Sequence, residues 1–309
     1  MKIIITGATG LVGKKLVDKL SSHGHHITIV SRNPDKAIKI FNHLKTVDYV
    51  KWDSDHLHFP SNILKDASGI IHLMGENIGA KRWSDEQKKK IYDSRVVSTK
   101  KIVEAINAQG KHLSFFISAS AVGFYPANLN DAIDEYFDLS RFQDSPSFLS
   151  KVCRDWEQAS ANLPESIRRV YLRTSVVLEP NDGALKKMLL PFKMGVGGII
   201  GNGEQVMSWI HVDDLVELYI KAVTDQNFSG AYNATSPNPV SNYVFTKALG
   251  QSLKRPTIFP LPSFMVQVAF GEMGSLITDS QKVKSKRLEE IHFQFKYPEI
   301  NSALNQLLK

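Results

Sequence analysis

Gly7, Gly10 and Gly13 recur at three-residue intervals, directly after an apolar run, Ile3 to Ile5, and directly before an amphipathic segment, Leu11 to Leu20. A strand, a glycine turn and a helix in that order form a cradle for dinucleotide phosphates. Gly7 permits the sharp turn off the strand. Gly10 lets a pyrophosphate approach the backbone, and Gly13 lets the helix pack on the strand. The helix start then offers N–H groups and a partial positive charge to the anion. Thr6, Thr9, Leu11 and Val12 complete the cradle. The next apolar run, Ile27 to Val30, ends in Ser31-Arg32. NAD-selective cradles usually carry an Asp or Glu about 20 residues past the glycines, to hold the ribose 2′-OH. A hydroxyl and a guanidinium suit a 2′-phosphate instead, which a carboxylate would repel. Lys36 adds a second cation nearby. The pattern predicts NADP(H), with Ser31 and Arg32 at the ribose.

Alternating strands and helices must position these residues. A helix is expected at about 35–44, a strand at 47–52 followed by Asp53, and a strand at 70–74. Ser84 and Gln87 have capping-box spacing and open a long helix. Tyr92, Val96, Thr99, Val103 and Ile106 mark its buried face. A strand closes at 115–118, a loop with little pattern runs from 125 to 147, a helix covers about 148–161, and a strand covers 170–178. This is an α/β chain with the Rossmann-type, doubly wound parallel sheet, whose ligands sit at the carboxyl ends of strands. Asp53, Leu73, Gly75 and Ser118 lie at such ends and join the cofactor set. Beyond 178 the texture changes: five glycines crowd 195–203, five prolines follow between 237 and 262, and short helices are expected near 242–253 and 264–270. The segments 209–215 and 230–234 look like a strand and helix returning to the main sheet. The expected division is a cofactor domain at 1–178, completed by about 208–234, and a smaller, mainly helical cap at 179–207 and 235–309.

Bulk properties exclude several classes. The chain has 309 residues, 42% hydrophobic and 22% charged, as expected of a globular protein. Its net charge of +7 is spread along the chain and interleaved with acids, so no nucleic-acid partner is expected. No apolar run approaches the ~18 residues of a membrane span. One cysteine, Cys153, permits no internal disulfide. A first strand at residue 2 leaves no room for a signal peptide, and the expected location is cytoplasmic. No metal site is assigned. The expected partner is a small molecule, polar and plausibly anionic, and homodimerisation stays open.

The chain resembles the extended and atypical short-chain dehydrogenase/reductases. Thr6-Gly-Ala-Thr-Gly-Leu-Val-Gly13 matches their opening motif, Phe116-Ile-Ser-Ala-Ser-Ala121 their serine strand, and Ile210-His-Val-Asp-Asp214 their return strand. It is most similar to the epimerase-like subgroup named after a cell-division inhibitor, through His72 to Asn77, Arg82-Trp83, Asp93-Ser-Arg95, Cys153 to Glu157 and Ser208 to Asp214. Arg255-Pro256, Gly271-Glu-Met273 and Phe293-x-Phe295 resemble that subgroup's small domain. The resemblance implies a seven-stranded Rossmann sheet with an α-rich cap.

It also exposes a gap. The wider superfamily uses Tyr-x-x-x-Lys, the Tyr exchanging a proton with the substrate oxygen and the Lys lowering its pKa. Aligning on Glu157 puts Leu149 and Cys153 there; a shift of one puts Phe148 and Val152. Tyr243 to Lys247, in the cap, is read as coincidence. The superfamily's Asn on the long helix is replaced by Arg95. By alignment the catalytic serine is Ser120. The remaining candidates for proton transfer or oxyanion binding are Glu76, Arg95 and Tyr125. His211 and Cys153 are expected to be structural, and Trp83, Trp156 and Trp209 to pack. The resulting expectation is an NADP(H)-dependent oxidoreductase or epimerase-like enzyme. The rival is an NADP(H)-binding sensor or scaffold that has lost its chemistry.

Overall fold

The computed structural model describes residues 1–142 and 147–309, so residues 143–146 of the 125–147 loop lie outside the described residues. Six strands run in sequence as β1 (Lys2–Thr6), β2 (His26–Ser31), β3 (Val47–Lys51), β4 (Gly69–His72), β5 (Phe115–Ala121) and β6 (Arg168–Thr174). Three short strands follow, β7 (Val176–Leu178), β8 (Val206–Met207) and β9 (Trp209–His211), then β10 (Gly230–Ala234) and β11 (Val240–Ser241). The main sheet has seven strands in the order β10-β6-β5-β4-β1-β2-β3, and every pairing in it is parallel. The winding direction reverses between β1 and β4, which opens a crevice at their carboxyl ends.

The helices are α1 (Leu11–Ser22), α2 (Pro34–Phe41), α3 (Asp85–Tyr92), α4 (Ser98–Gln109), α5 (Phe148–Gln158), α6 (Gly183–Lys193) and α7 (Val212–Thr224). The C-terminal part adds α8 (Asn242–Leu253), α9 (Ser263–Phe270), α10 (Ser275–Thr278), α11 (Lys286–Glu290) and α12 (Ile300–Leu307). Strand alternation sorts the core. Ile3 and Ile5 pack with Leu16 and Val17 of α1 and Leu215 of α7. Ile4, Ile70 and Phe116 pack with Ile102 and Ile106 of α4. Both faces of the sheet are covered, which is why its central strands read as unbroken apolar runs. Ser84 caps α3 by accepting from the Gln87 amide, as its spacing predicts.

Three expectations need correction. The strand expected over 170–178 breaks at Ser175. There the backbone changes partner: Ser175 N bonds to Ala234 O, and Val176 N to Ser208 O. β6 stays in the main sheet while β7 pairs with β9 in a separate two-stranded sheet. Residues 209–211 therefore do not rejoin the main sheet; only β10 does. Trp209 is buried instead with Leu185, Phe245, Leu249 and Leu304. Third, α6 was not expected. Its Pro191 falls in the last turn, where it has no N–H to give to the carbonyl of Lys187 and the helix ends two residues later, and the Asp182 side chain caps its start.

Candidate functional site

The cradle is built as its glycines require, each for its own reason. Gly7 has φ +72°, and a Cβ there would stand 2.6 Å from the Leu73 carbonyl carbon. A Cβ at Gly13 would stand 2.5 Å from Ala8 O and 2.6 Å from Ala8 Cα. Both positions are closed by the protein's own backbone. Gly10 differs: it is exposed, and its Cβ would meet only Gly7 O, at 3.3 Å. It forms the N-cap of α1 with no side chain accepting from the first turn, and that turn carries no acidic residue. Unpaired amides and an open approach remain, which is what a phosphate needs. Thr9, Leu11 and Val12 are partly exposed around it. Gly183 of α6 rests on Leu11, and the Lys187 ammonium donates to Gly79 O, so α6 bridges the start of α1 and the loop after β4. Beside α1 lies a cleft of about 340 Å³ lined by Leu11, Lys14, Lys15, Glu179, Asp182 and Asp213.

At the ribose position, Ser31 Oγ is engaged locally with the Asn33 backbone, and Arg32 is exposed. Asp53 accepts from His56 and from the Asp55 amide, and these bonds, His56 first, hold its carboxyl below the usual range. Arg32 adds a smaller electrostatic pull on it, which places the two on the same rim. No carboxylate caps β2 itself.

The other assigned cofactor residues divide into lining and support. Leu73 and Gly75 are accessible after β4. Thr6 and Ser118 are buried. Register aligns Thr6, His72 and Ser118 in one row across β1, β4 and β5. Thr6 Oγ1 lies 2.7 Å from His72 Nδ1, and Ser98 Oγ 3.3 Å from Nε2. Ser98 already donates to Ser94 O and Arg95 O, so the imidazole N–H is on Nε2 and Thr6 donates to Nδ1. Burial, then the nearby Arg95, lower the His72 pKa to about 3, so it is neutral. The Thr6–His72–Ser98 bonds brace the strand ends, Ser118 Oγ donates to Ala119 O, and the buried row is closed to a ligand. In the sequence His72 opens the segment that runs to Asn77 and carries no spacing signal of its own.

Among the catalytic candidates, Ser120 and Tyr125 belong to one buried network. Ser120 and Arg173 are register partners on β5 and β6. Ser120 Oγ donates to Glu157 Oε1 at 2.6 Å, and Arg173 holds the same carboxylate with two bonds, at 2.9 and 2.8 Å. Arg173 also donates to the Tyr125 hydroxyl at 2.8 Å, which donates to Asn233 Oδ1 at 2.9 Å. Burial opposes the Arg173 charge, but the Glu157 bonds outweigh it and raise its pKa. Burial is also the main cause raising the Tyr125 pKa. With 1% of its surface exposed and both roles of its hydroxyl taken, Tyr125 is a core residue and not a proton-transfer group, contrary to the expectation from sequence. Glu157 and Arg173 were not assigned from sequence; an acid on α5 and an arginine mid-strand carry no spacing signal.

Glu76 and Arg95 lie close together just beyond the end of β4. The Glu76 amide donates to Ser94 Oγ, and the Gln87 amide group reaches its carboxylate at 3.5 Å. Arg95 sits on a π-helical turn, Asp93–Val97, inserted between α3 and α4. Such turns re-aim side chains at functional positions. Its guanidinium lies over the Trp156 ring at 5.3 Å, and a Cβ on Gly75 would stand 2.8 Å from Cζ. Cys153 is buried, and burial pushes its thiol up to about 12, so it packs and does not react. His211 caps α7 by accepting from the Asp213 amide and bonds Gln306, a structural role.

A doubly wound sheet with a glycine cradle at its switch point defines a dinucleotide-binding protein of the short-chain dehydrogenase/reductase class. Comparison with known proteins makes this specific. The NAD dependent epimerase/dehydratase family matches residues 3–235, and a domain of unknown function, DUF1731, matches residues 261–307. The chain belongs to that epimerase/dehydratase family. It is 35% identical over 314 residues to "Epimerase family protein SDR39U1 homolog, chloroplastic" of Arabidopsis thaliana, covering 100% of this chain and 87% of the relative. It is 35% identical over 309 residues to epimerase family protein YfhF of Bacillus subtilis, covering 100% and 98%. The crystal structure of human epimerase family protein SDR39U1 with NADPH superposes with a TM-score of 0.85 at 30% identity, covering 100% of this chain and 99% of that one. Among the described residues, no helix is long and apolar enough to cross a membrane.

Proposed function

We propose that the protein is an NADP(H)-dependent oxidoreductase or epimerase-like enzyme acting on a small polar substrate in the cytoplasm. The observation that carries this reading is the open approach at Gly10: the other two cradle glycines are required by backbone, and this one answers to a ligand. Arg32, with Ser31 and no acid at the end of β2, favours the 2′-phosphate form. The human relative's complex with NADPH supports the same choice. NADP(H), when bound, supplies or removes a hydride. The chain's own residues would hold the pyrophosphate on the first turn of α1 and present Ser120, Glu76 and Arg95 near the strand ends. A second reading, a cofactor-binding sensor without chemistry, is favoured by Leu149 and Cys153 standing where the superfamily keeps Tyr and Lys. Fluorescence titration with NADPH and NADH tests the first half, with tighter NADPH binding expected. Turnover screening against small hydroxy and oxo acids and sugars tests the second. NADPH binding with no turnover on any of them would favour the sensor.

A further inference from the structure

Arg95 is a cation with no carboxylate bonded to it. Its guanidinium donates from Nη1 to Ile91 O at 3.1 Å, and no carboxylate among the described residues lies within ion-pair distance. Arg173, its counterpart on β6, is neutralised by Glu157. The Glu76 carboxylate lies close enough to act on Arg95 electrostatically, yet its bonding partner is Gln87. Nε and Nη2 of Arg95 have no protein acceptor among the described residues, and neither is sealed from solvent. An enclosed charge without a partner is costly, and proteins keep such a group where a ligand completes it. Burial already works against this one. The lodging has three parts: the π turn carries the side chain, Trp156 lies under it, and the bare backbone of Gly75 lets the guanidinium rest against it. Gly75 follows β4, at the mouth of the crevice.

We propose that Arg95 receives an oxyanion group of the substrate, a carboxylate or a phosphoryl group, on its free N–H edge, and so sets substrate class. A planar fork lodged over an aromatic ring matches the two oxygens of either group. The inference rests on the enzyme reading above and selects acidic substrates within it.

The test uses the full-length protein saturated with NADP⁺ at low ionic strength. Malonate and inorganic phosphate are titrated calorimetrically into wild type, Arg95→Met and Arg95→Lys. Arg95→Met keeps an unbranched chain against Trp156. The expected result is saturable binding of at least one probe to wild type, at least tenfold weaker in Arg95→Met and intermediate in Arg95→Lys. Tighter malonate identifies a carboxylate substrate, and tighter phosphate a phosphoryl one. Absence of binding to wild type, or unchanged binding in Arg95→Met, overturns the proposal. If Arg95→Met does not fold, phenylglyoxal modification of wild-type Arg95, read by mass spectrometry, replaces it. Protection by the better-binding probe supports the proposal, and no protection overturns it. The NADP⁺ titration is made first, so a failure of cofactor binding sinks the enzyme reading separately from the anion site.

Discussion

Gly10→Ala and Gly13→Ala should separate binding from folding. Position 10 has φ −79° and ψ 179°, an extended conformation that alanine adopts freely. Its Cβ would press only on Gly7 O at 3.3 Å, a contact relieved by a shift of a few tenths of an ångström. Loss of glycine at an N-cap costs about 1 kcal/mol, equivalent to a fall in Tm of no more than about 4 °C. Position 13 is different, since its Cβ would enter backbone at 2.5–2.6 Å on three atoms. Strand and helix must separate, at a cost of about 1–3 kcal/mol or more. Binding should rank the other way. In Gly10→Ala the methyl group occupies the approach of the pyrophosphate. Losing one charged N–H···O contact, about 1.5–3 kcal/mol, weakens NADPH roughly tenfold to a hundredfold. Paired thermal melts and NADPH fluorescence titrations measure both quantities. A Kd for Gly10→Ala within twofold of wild type, or a Tm loss equal to that of Gly13→Ala, would refute this account of the cradle.

Four further outcomes are expected. NADPH should bind more tightly than NADH by about 1.5–3 kcal/mol, and Arg32→Ala should remove most of that preference in the same titration; equal affinities in wild type would end the argument. Arg173→Met should cost about 3–5 kcal/mol in urea unfolding, because it leaves the Glu157 carboxylate, 11% exposed, without its partner. The His72 pKa falls from 6.5 to about 3 on folding, so the unfolded chain takes up the proton first and stability is lost as pH drops through that window. The urea midpoint should therefore fall less between pH 7 and pH 5 in His72→Gln than in wild type; parallel losses would show that His72 does not titrate as argued. Cys153, with its thiol near 12, should resist iodoacetamide at pH 8 until the protein is unfolded, as read by intact mass.

The elements legible in the sequence were those whose partners lie close along the chain. The Ile3 to Ile5 run, the glycine turn and α1 form one local unit, and the structure keeps it. The Ser84 cap likewise needs only its own helix. What escaped depends on distant pairing. The break at Ser175 is dictated by Ala234 O, which takes its own amide, and Ser208 O, which takes that of Val176, and nothing in residues 170–178 records that exchange. The π turn at Asp93–Val97 preserves the apolar face around it, so periodicity passes over it. Spacing was enough to put Gly10 at the start of α1 and Arg32 just past β2. The roles of Thr6 and Ser118 could not be read that way, because only register puts these two residues in a buried row with His72, where Thr6 bonds the imidazole and Ser118 bonds Ala119 O.

The network around Ser120 constrains any chemistry at this site. In a superfamily member with the Tyr/Lys pair, the tyrosine carries the proton. Here α5 offers no such group, and its Glu157 takes the proton of Ser120 into a hydrogen bond at 2.6 Å. Arg173 neutralises that carboxylate and links it through Tyr125 and Asn233 to Lys284 O, so the arrangement is anchored at both ends. With its O–H committed, Ser120 has lone pairs to offer a ligand and no hydrogen. It can accept from a substrate hydroxyl but cannot donate to a substrate carbonyl unless the Glu157 bond breaks. Arg95 remains protonated and acts as a charge. Of the candidates at the strand ends, Glu76 alone is left both partly exposed and able to exchange a proton, and the choice between enzyme and sensor turns on what that carboxylate does when a substrate is present.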